Sequence, residues 1–519
     1  MTKSRWKTIR KIRVAVSLGF LVLTTAIFLD PWHLIPPQFV KYLTSLQIVP
    51  VLLKSVMTGG AVAIGGLIFV AVMTLLFGRV YCSTICPIGT LQDVIGKLSR
   101  KINRRKRFKY YKSPQWLQYS ILVFGAAAVL FSGSMIIGDL LDPFSNYGRL
   151  VSGFALPVIL FVNNVLAASL GHFGIYMLYD IPVHIHEIGM LFFAFLFLAV
   201  VAYLSVTEGR LFCNSFCPAG AILSLMSRIS AFRLVIRNDS CNDCGACDRV
   251  CKAECIDSEA RRIDFSACVS CFDCLRACLT NAVGYAARFG GGVGTQPAEF
   301  NEGRRKFFKN VGVPAAALLV APGVVESGMV VSSSRQPISP PGSTSVGRFT
   351  SLCTACHLCV ASCPTNVLKP SFLEYGLAGM SQPMMKYEYG FCNYDCTVCG
   401  EICPTGAIMK TNIAQKKLIQ VGSAKLNKDE CIVVKKKKDC SACSEHCPTK
   451  AVHTVPYEGT LLLPDVDDSL CIGCGACENA CPVLPKKAIV VSAKPVHGTA
   501  KKPAVVKPKA DEGIKEFPF

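Results

Sequence analysis

The chain has 519 residues, of which 51% are hydrophobic and only 17% charged, with 29 cysteines and a formal net charge of +21. So few charges exclude an ordinary soluble protein and suit a chain partly buried in lipid. The cysteines fall in tight groups of four, many ending in Cys-Pro, which is ligand spacing and excludes the disulfide framework of a short secreted domain. The positive charge flanks apolar runs or sits in a linker and a Lys/Pro tail, so membrane orientation accounts for it and no nucleic-acid partner is expected.

In chain order, residues 1–13 carry six Lys or Arg and no acid, and an apolar run covers about 14–29. Further apolar runs cover about 51–77, 115–137 and 187–206. Basic residues crowd the segments before the first run, after the second (Lys97–Lys112) and after the last (Arg228, Arg233, Arg237). By the positive-inside rule all three segments face the cytoplasm. The stretch 153–178 is also apolar, but Asn163, Asn164, Gly171 and His172 interrupt it, and it reads as interfacial or re-entrant.

An internal repeat organises this half. GRVYCSTICPIG (Gly78–Gly89) matches GRLFCNSFCPAG (Gly209–Gly220), and upstream Asp30-Pro31-Trp32 matches Asp142-Pro143-Phe144. Four spans in two parallel repeats is the simplest architecture. Cys82 and Cys86, like Cys213 and Cys217, sit four apart and share a helical face. Four thiols can converge across the repeat axis as a redox dithiol or metal site; a structural role is the other reading.

Six four-cysteine sets follow. The first two are Cys241, Cys244, Cys247, Cys251 and Cys268, Cys271, Cys274, Cys278. The later four are Cys353, Cys356, Cys359, Cys363; Cys392, Cys396, Cys399, Cys403; Cys431, Cys440, Cys443, Cys447; and Cys471, Cys474, Cys477, Cys481. A cubane cluster offers four iron corners, each needing one soft thiolate. Three close cysteines wrap one cluster, and the fourth reaches the other cluster of a pair. The sets therefore predict about six [4Fe–4S] clusters in α+β ferredoxin-like domains. Cys241, Cys244, Cys247 and Cys278 are expected on one cluster, and Cys268, Cys271, Cys274 and Cys251 on its neighbour. In the last region set one can pair with set four and set two with set three; spacing leaves this open. Cys255 is left over, either inert or in place of Cys251. Cys353-x-x-Cys356-His357 also matches a haem-attachment motif, but the run continues to Cys359 and Cys363-Pro364, as a ferredoxin's does.

These motifs resemble a known family. Residues 1–282 resemble the NapH/MauN membrane polyferredoxins, and residues 304–492 resemble the NapG/MauM four-cluster ferredoxins, here fused in one chain. Arg304-Arg305-Lys306-Phe307-Phe308-Lys309 falls where the latter carry a twin-arginine signal. The resemblance implies a quinol dehydrogenase component of a bacterial inner membrane. It would draw on the quinone pool and pass electrons to a multihaem cytochrome or periplasmic reductase of nitrate-reductase type. An assembly factor supplying electrons to activate a periplasmic metalloenzyme is the alternative.

The expected layout is a membrane domain (1–237), a cytoplasmic two-cluster ferredoxin (238–282), a linker (283–303) and a twin-arginine-like apolar helix that would stay as a fifth span (304–331). A second linker (332–347), a periplasmic four-cluster ferredoxin (348–492) and a disordered tail (493–519) complete it. Quinol oxidation needs a proton acceptor beside an apolar slot; the candidates are Asp30, Asp142, His184 and His186, with His33 and His172 less favoured. No ferredoxin motif lies inside the spans. Across a hydrocarbon core ~30 Å thick, the two ferredoxins are expected to need a quinone or haem between them.

Overall fold

The computed structural model describes residues 3–102, 110, 114–133, 135–183, 187–288 and 336–502. The twin-arginine-like helix at 304–331, most of the 283–303 linker, His184, His186 and the tail beyond 502 lie outside these residues.

The first half is helical, as its long apolar runs dictate. Its elements are α1 (Lys3–Phe28), α2 (Pro37–Thr44), α3 (Ile48–Thr58), α4 (Ala61–Phe77), α5 (Tyr81–Thr84), α6 (Pro87–Ile102), α7 (Gln115–Ser132), α8 (Ile136–Leu141), α9 (Pro143–Leu150), α10 (Leu156–His172), α11 (Ile188–Thr207), α12 (Leu211–Ser215) and α13 (Pro218–Ser227). Among the described residues, three helices are long and apolar enough to cross a membrane: Ser4–Phe28, Pro143–His172 and Ile188–Thr207. The second joins α9 to α10 through a π turn at Val151–Ala155. Of the stretch 153–178, expected to be interfacial or re-entrant, the part up to His172 is continuous helix, without the break of a re-entrant segment. Asn163 and Asn164 do not break it, because their amides donate to Tyr179 O and Ile181 O of the returning chain. The expected run 51–77 is instead divided, since Gly59 turns left-handed (φ +61°) between α3 and α4.

The first ferredoxin unit grips the start of α1, and α9, which seats the second unit, packs at its end. At its start, Trp6 packs on Phe272, and Arg10 pairs with Asp273. Midway, Arg13 donates to Ser83 O and Ser17 shares a hydrogen bond with Thr90. At its end, Thr25 bonds Tyr147, and Phe28 packs on Phe144 and Gly148. Between Arg10 and Phe28 the axis rises about 27 Å at 1.5 Å per residue.

The first unit has four strands, β1 (Phe232–Ile236), β2 (Ile256–Asp257), β3 (Arg262–Ile263) and β4 (Val283–Ala287). β1 pairs antiparallel with β4, and β2 with β3. β4 occupies the start of the expected linker, so the unit closes at residue 287. In the second unit β5 (Leu368–Pro370) pairs with β6 (Pro383–Met385), β7 (Ile419–Leu426) with β10 (Ile489–Thr499), and β8 (Val452–Pro456) with β9 (Leu462–Val466), all antiparallel. β10 continues to Thr499, past the expected start of the tail, and Ile338, Ser339 and Ser343 of the expected second linker are buried.

The glycines of the repeated CPxG motifs set close backbone contacts at the starts of α6 and α13. A Cβ on Gly89 would lie 2.2 Å from Cys82 O, and one on Gly220 would lie 2.2 Å from Cys213 O. Gly89→Ala and Gly220→Ala should each cost about 1–3 kcal/mol as overpacking. Thermal unfolding in detergent would show this as a lowered midpoint. Gly19→Ala, whose Cβ meets nothing within 4 Å inside α1, should leave the midpoint unchanged or raise it.

Candidate iron-sulfur cages and the buried thiol centre

Each set of close cysteines lies on a loop leading into a short helix, and the cysteine that ends the helix crosses to the neighbouring set. A cavity in the first unit is lined by Cys241, Cys244, Cys247 and Cys278. Beside it Cys274 senses the charges of Cys271, Cys268 and Cys251. Cys255 is not remote: its sulfur lies 3.5 Å from that of Cys251, making a fifth thiol at this second cage.

In the second unit the partners are sequence neighbours, not the two pairings that spacing left open. Cys359 senses Cys356, Cys353 and Cys403, while Cys392, Cys396 and Cys399 line a cavity with Cys363. Cys443 senses Cys440, Cys431 and Cys481, and Cys477 senses Cys474, Cys471 and Cys447. Each pair thus exchanges its fourth cysteine, the pattern of two-cluster ferredoxins. His357, the apparent haem ligand, is buried with Nε2 2.9 Å from Ser381 O and Nδ1 3.4 Å from Ser152 Oγ.

The four thiols in each cage fit the donor set of a cubane. Backbone N–H groups already point at sulfur: Ala355 to Cys353 at 3.4 Å, Ile408 to Cys403 at 3.5 Å and Val452 to Cys447 at 3.5 Å. Burial pushes the metal-free thiols up, Cys247 and Cys443 each to about 11. Loading therefore releases protons.

The cages of the second unit stand in a row. The Cys353 cage rests on the membrane half: Arg149 Nε donates to Ala355 O at 3.1 Å, and Lys54 Nζ to Cys403 O at 2.9 Å. The Cys392 cage follows, and Cys392 N donates to Cys474 O at 2.9 Å, joining it to the Cys471 cage. The Cys431 cage comes last, with half-buried Cys440 beside exposed Lys435–Lys438.

A further four thiols, Cys82, Cys86, Cys213 and Cys217, are buried in the membrane half, each no more than 4% exposed. Arg79 and Arg210 of the two repeats cross over them. Arg79 donates to Cys213 O at 2.9 Å, and Arg210 donates to Cys82 O. Sequence spacing allowed these thiols to converge; it gave no hint that the preceding arginines would lock them.

Arg210 also meets Asp93, with Lys252 3.1 Å and Arg13 3.8 Å from the same carboxylate. Burial would raise the Asp93 carboxyl, but Arg210, Lys252 and Arg13 hold it down at about 2.

Of the proton-acceptor candidates, Asp30 accepts from Leu34 N and Ile35 N at 2.9 and 2.8 Å, which is a helix-stop role. His172 is exposed. Asp142 is buried and caps α9 through Ser145. A second acid, Asp139, lies beside it, equally buried, with Oδ1 unpartnered and Oδ2 3.3 Å from Gln382 Nε2. Sequence reading missed Asp139 because it sits in an apolar run and has no counterpart in the first repeat.

A family model described as a 4Fe-4S binding domain matches residues 59–105 and 189–237, the two halves that carry the repeated thiols. A second model of the same description matches 348–369 and 464–484. The chain is 31% identical over 197 residues to the methylamine utilization ferredoxin-type protein MauM of Methylophilus methylotrophus, covering 36% of this chain and 82% of that protein. It is 29% identical over 208 residues to the ferredoxin-type protein NapG of Escherichia coli, covering 38% and 88%. It is 26% identical over 207 residues to the putative electron transport protein YccM of Escherichia coli, covering 40% of this chain and half of that protein.

Two measurements test the geometry. Cys403→Ala should remove the EPR signal of the Cys353 cage and spare that of the Cys392 cage, although Cys403 follows the latter in sequence. Asp93→Asn leaves Arg210 without its carboxylate and should cost about 3–5 kcal/mol. Because the folded Asp93 carboxyl sits below its ordinary ~3.9, its stabilisation is complete above that value and is lost as pH falls toward about 2. The wild-type and Asp93→Asn unfolding midpoints should therefore converge over that acid range.

Proposed function

Because the chain belongs to the NapH/MauN/NapG-type polyferredoxins, we propose that it oxidises membrane quinol and supplies electrons to a periplasmic oxidoreductase, with about six clusters. The observation that carries this reading is the row of outer cages, which begins against the membrane helices at Arg149 and Lys54 and ends beside exposed Lys435–Lys438. When bound, [4Fe–4S] clusters in these cages supply one-electron transfer. In this reading the first unit faces the cytoplasm and the second the periplasm. The rise of about 27 Å along α1, from its contact with the first unit at Arg10 to its contact at Phe28 with the helix that seats the second, supports that placement, being close to a hydrocarbon core of ~30 Å.

Quinol gives up two protons with its electrons, so the chain needs an acceptor where the first outer cage meets the membrane half. Asp139 and Asp142 occupy that place. The Cys353 thiol senses Asp139, and the Cys356 thiol senses Asp142 and Arg149. Burial raises both carboxyls, against the pull of Arg149 on Asp139 and of the Ser145 hydrogen bonds on Asp142. A carboxyl moved upward toward neutral pH is suited to take a proton there and release it.

In liposomes, a quinol analogue should reduce the wild-type clusters rapidly. Asp139→Asn should slow this about 100-fold, the scale of a general base, while dithionite still reduces every cluster. An unchanged rate removes Asp139 from the proton path. No quinol-driven reduction of the wild type would favour the activation role instead.

A further inference from the structure

The row of cages in the second unit ends at a set whose spacing is unlike the others. Eight residues separate Cys431 from Cys440, where the Cys353 and Cys471 sets have two and the Cys392 set has three. The longer gap reads Ile432-Val433-Val434-Lys435-Lys436-Lys437-Lys438-Asp439. We propose that this segment is the docking surface for a redox protein whose own contact face is rich in carboxylates. The inference rests on the reading that electrons leave the chain through the second unit.

The segment has a fixed shape. Ile432–Lys436 forms a short helix that starts from Cys431, and Val433, 0% exposed, anchors it in the core of the second unit. Lys437 ends the helix in the left-handed region (φ +50°), which is unfavourable for a residue with a side chain. All four lysines are exposed, and half-buried Cys440 lies two residues beyond Lys438. Four cations are thus held at the rim of the last cage.

Charge identifies the partner. Lys435 lies 3.0 Å from Glu430, and Lys437 lies 3.3 Å from Glu458. Lys436 and Lys438 have no ion pair among the described residues. Four adjacent like charges repel one another, and carboxylates on a partner would offset that repulsion.

Exposed apolar side chains stand beside the cations. Tyr457 and Leu462, 40% and 46% exposed, flank the turn between β8 and β9 that carries Glu458. Leu484, 77% exposed, follows Cys481 of the same cage by three residues. Cations steer an acidic partner inward, and a small apolar contact lets it leave again. The position also argues against lipid headgroups as the occupant, since the cage that rests on the membrane half is that of Cys353, at the other end of the row. In each encounter one electron leaves a reduced cluster in the Cys431 cage and reduces the partner's oxidised centre by one.

A pair of probes that differ only in charge tests this. The full-length chain in nanodiscs of zwitterionic lipid is reduced anaerobically with dithionite, freed of the excess, and mixed with oxidised cytochrome c. The cytochrome is used in its native, basic form and with its lysines succinylated, which makes it acidic. At low salt the acidic form should be reduced about tenfold faster, the scale of electrostatic steering. The advantage should vanish in about 0.5 M salt, where the screening length is about 4 Å. Lys436→Glu/Lys438→Glu should abolish it, and Lys436→Gln/Lys438→Gln should diminish it. Lys97→Glu/Lys101→Glu, the same charge change at exposed positions on α6, should preserve it. Faster or equal reduction of the native form overturns the proposal, as does a preference that survives Lys436→Glu/Lys438→Glu. Protection of Lys436 and Lys438 from acetylation by anionic lipid added to the discs would assign them to headgroups and also overturns it. Quinol-driven reduction of the clusters in the same discs tests the proposed function separately. Its failure beside an intact charge preference removes the quinol reading and keeps the surface; its success without the preference removes the surface alone.

Discussion

A guanidinium buried in an apolar core must be answered by acceptors, and Arg79 and Arg210 are answered from the opposite repeat. Each reaches across the pseudo-twofold axis to the first CxxxCP carbonyl of the other half. Breaking either contact strands a buried charge, so the two repeats cannot separate cheaply. The first ferredoxin unit joins the same network, since Arg79 donates to Ser266 O and Arg210 N donates to Lys252 O. The register of the helices, the thiol positions and the seat of the first unit all follow from this crossed pair.

The outer unit follows a different constraint. A cysteine that leaves its own loop and completes its neighbour's cage ties two loops together, so cages are stable in pairs. The second unit contains two such pairs, and one backbone hydrogen bond between Cys392 and Cys474 sets them end to end. Four cages in a row bring electron carriers from the membrane helices to a surface without any long element between them.

Much of this was legible in the sequence, for physical reasons. Thiolate spacing is local, so 24 cysteines could be proposed as ligands from their loops alone. The pairing in the first unit was also local. The pairing in the second was not, because four similar sets compete and only tertiary packing chooses among them. The stretch 153–178 misled because Asn163 and Asn164 looked like interruptions, whereas their amides satisfy a returning loop. Asp139 was invisible because nothing in its neighbours marks a carboxyl as buried. The arginines of the Gly-Arg motif were quoted for the repeat they belong to, and their crossing required the fold.

Helix α1 touches the first ferredoxin unit, the repeated motifs and the helix that seats the outer unit. It is made well before its partners: Arg10 waits 263 residues for Asp273, and Arg13 waits 70 for Ser83 O. Contacts so distant in sequence form late. During synthesis the helix must therefore sit at the membrane with its cations in water or on lipid headgroups. Biogenesis thus imposes an order that the finished molecule conceals: a segment made before its partners is among the last to find its place.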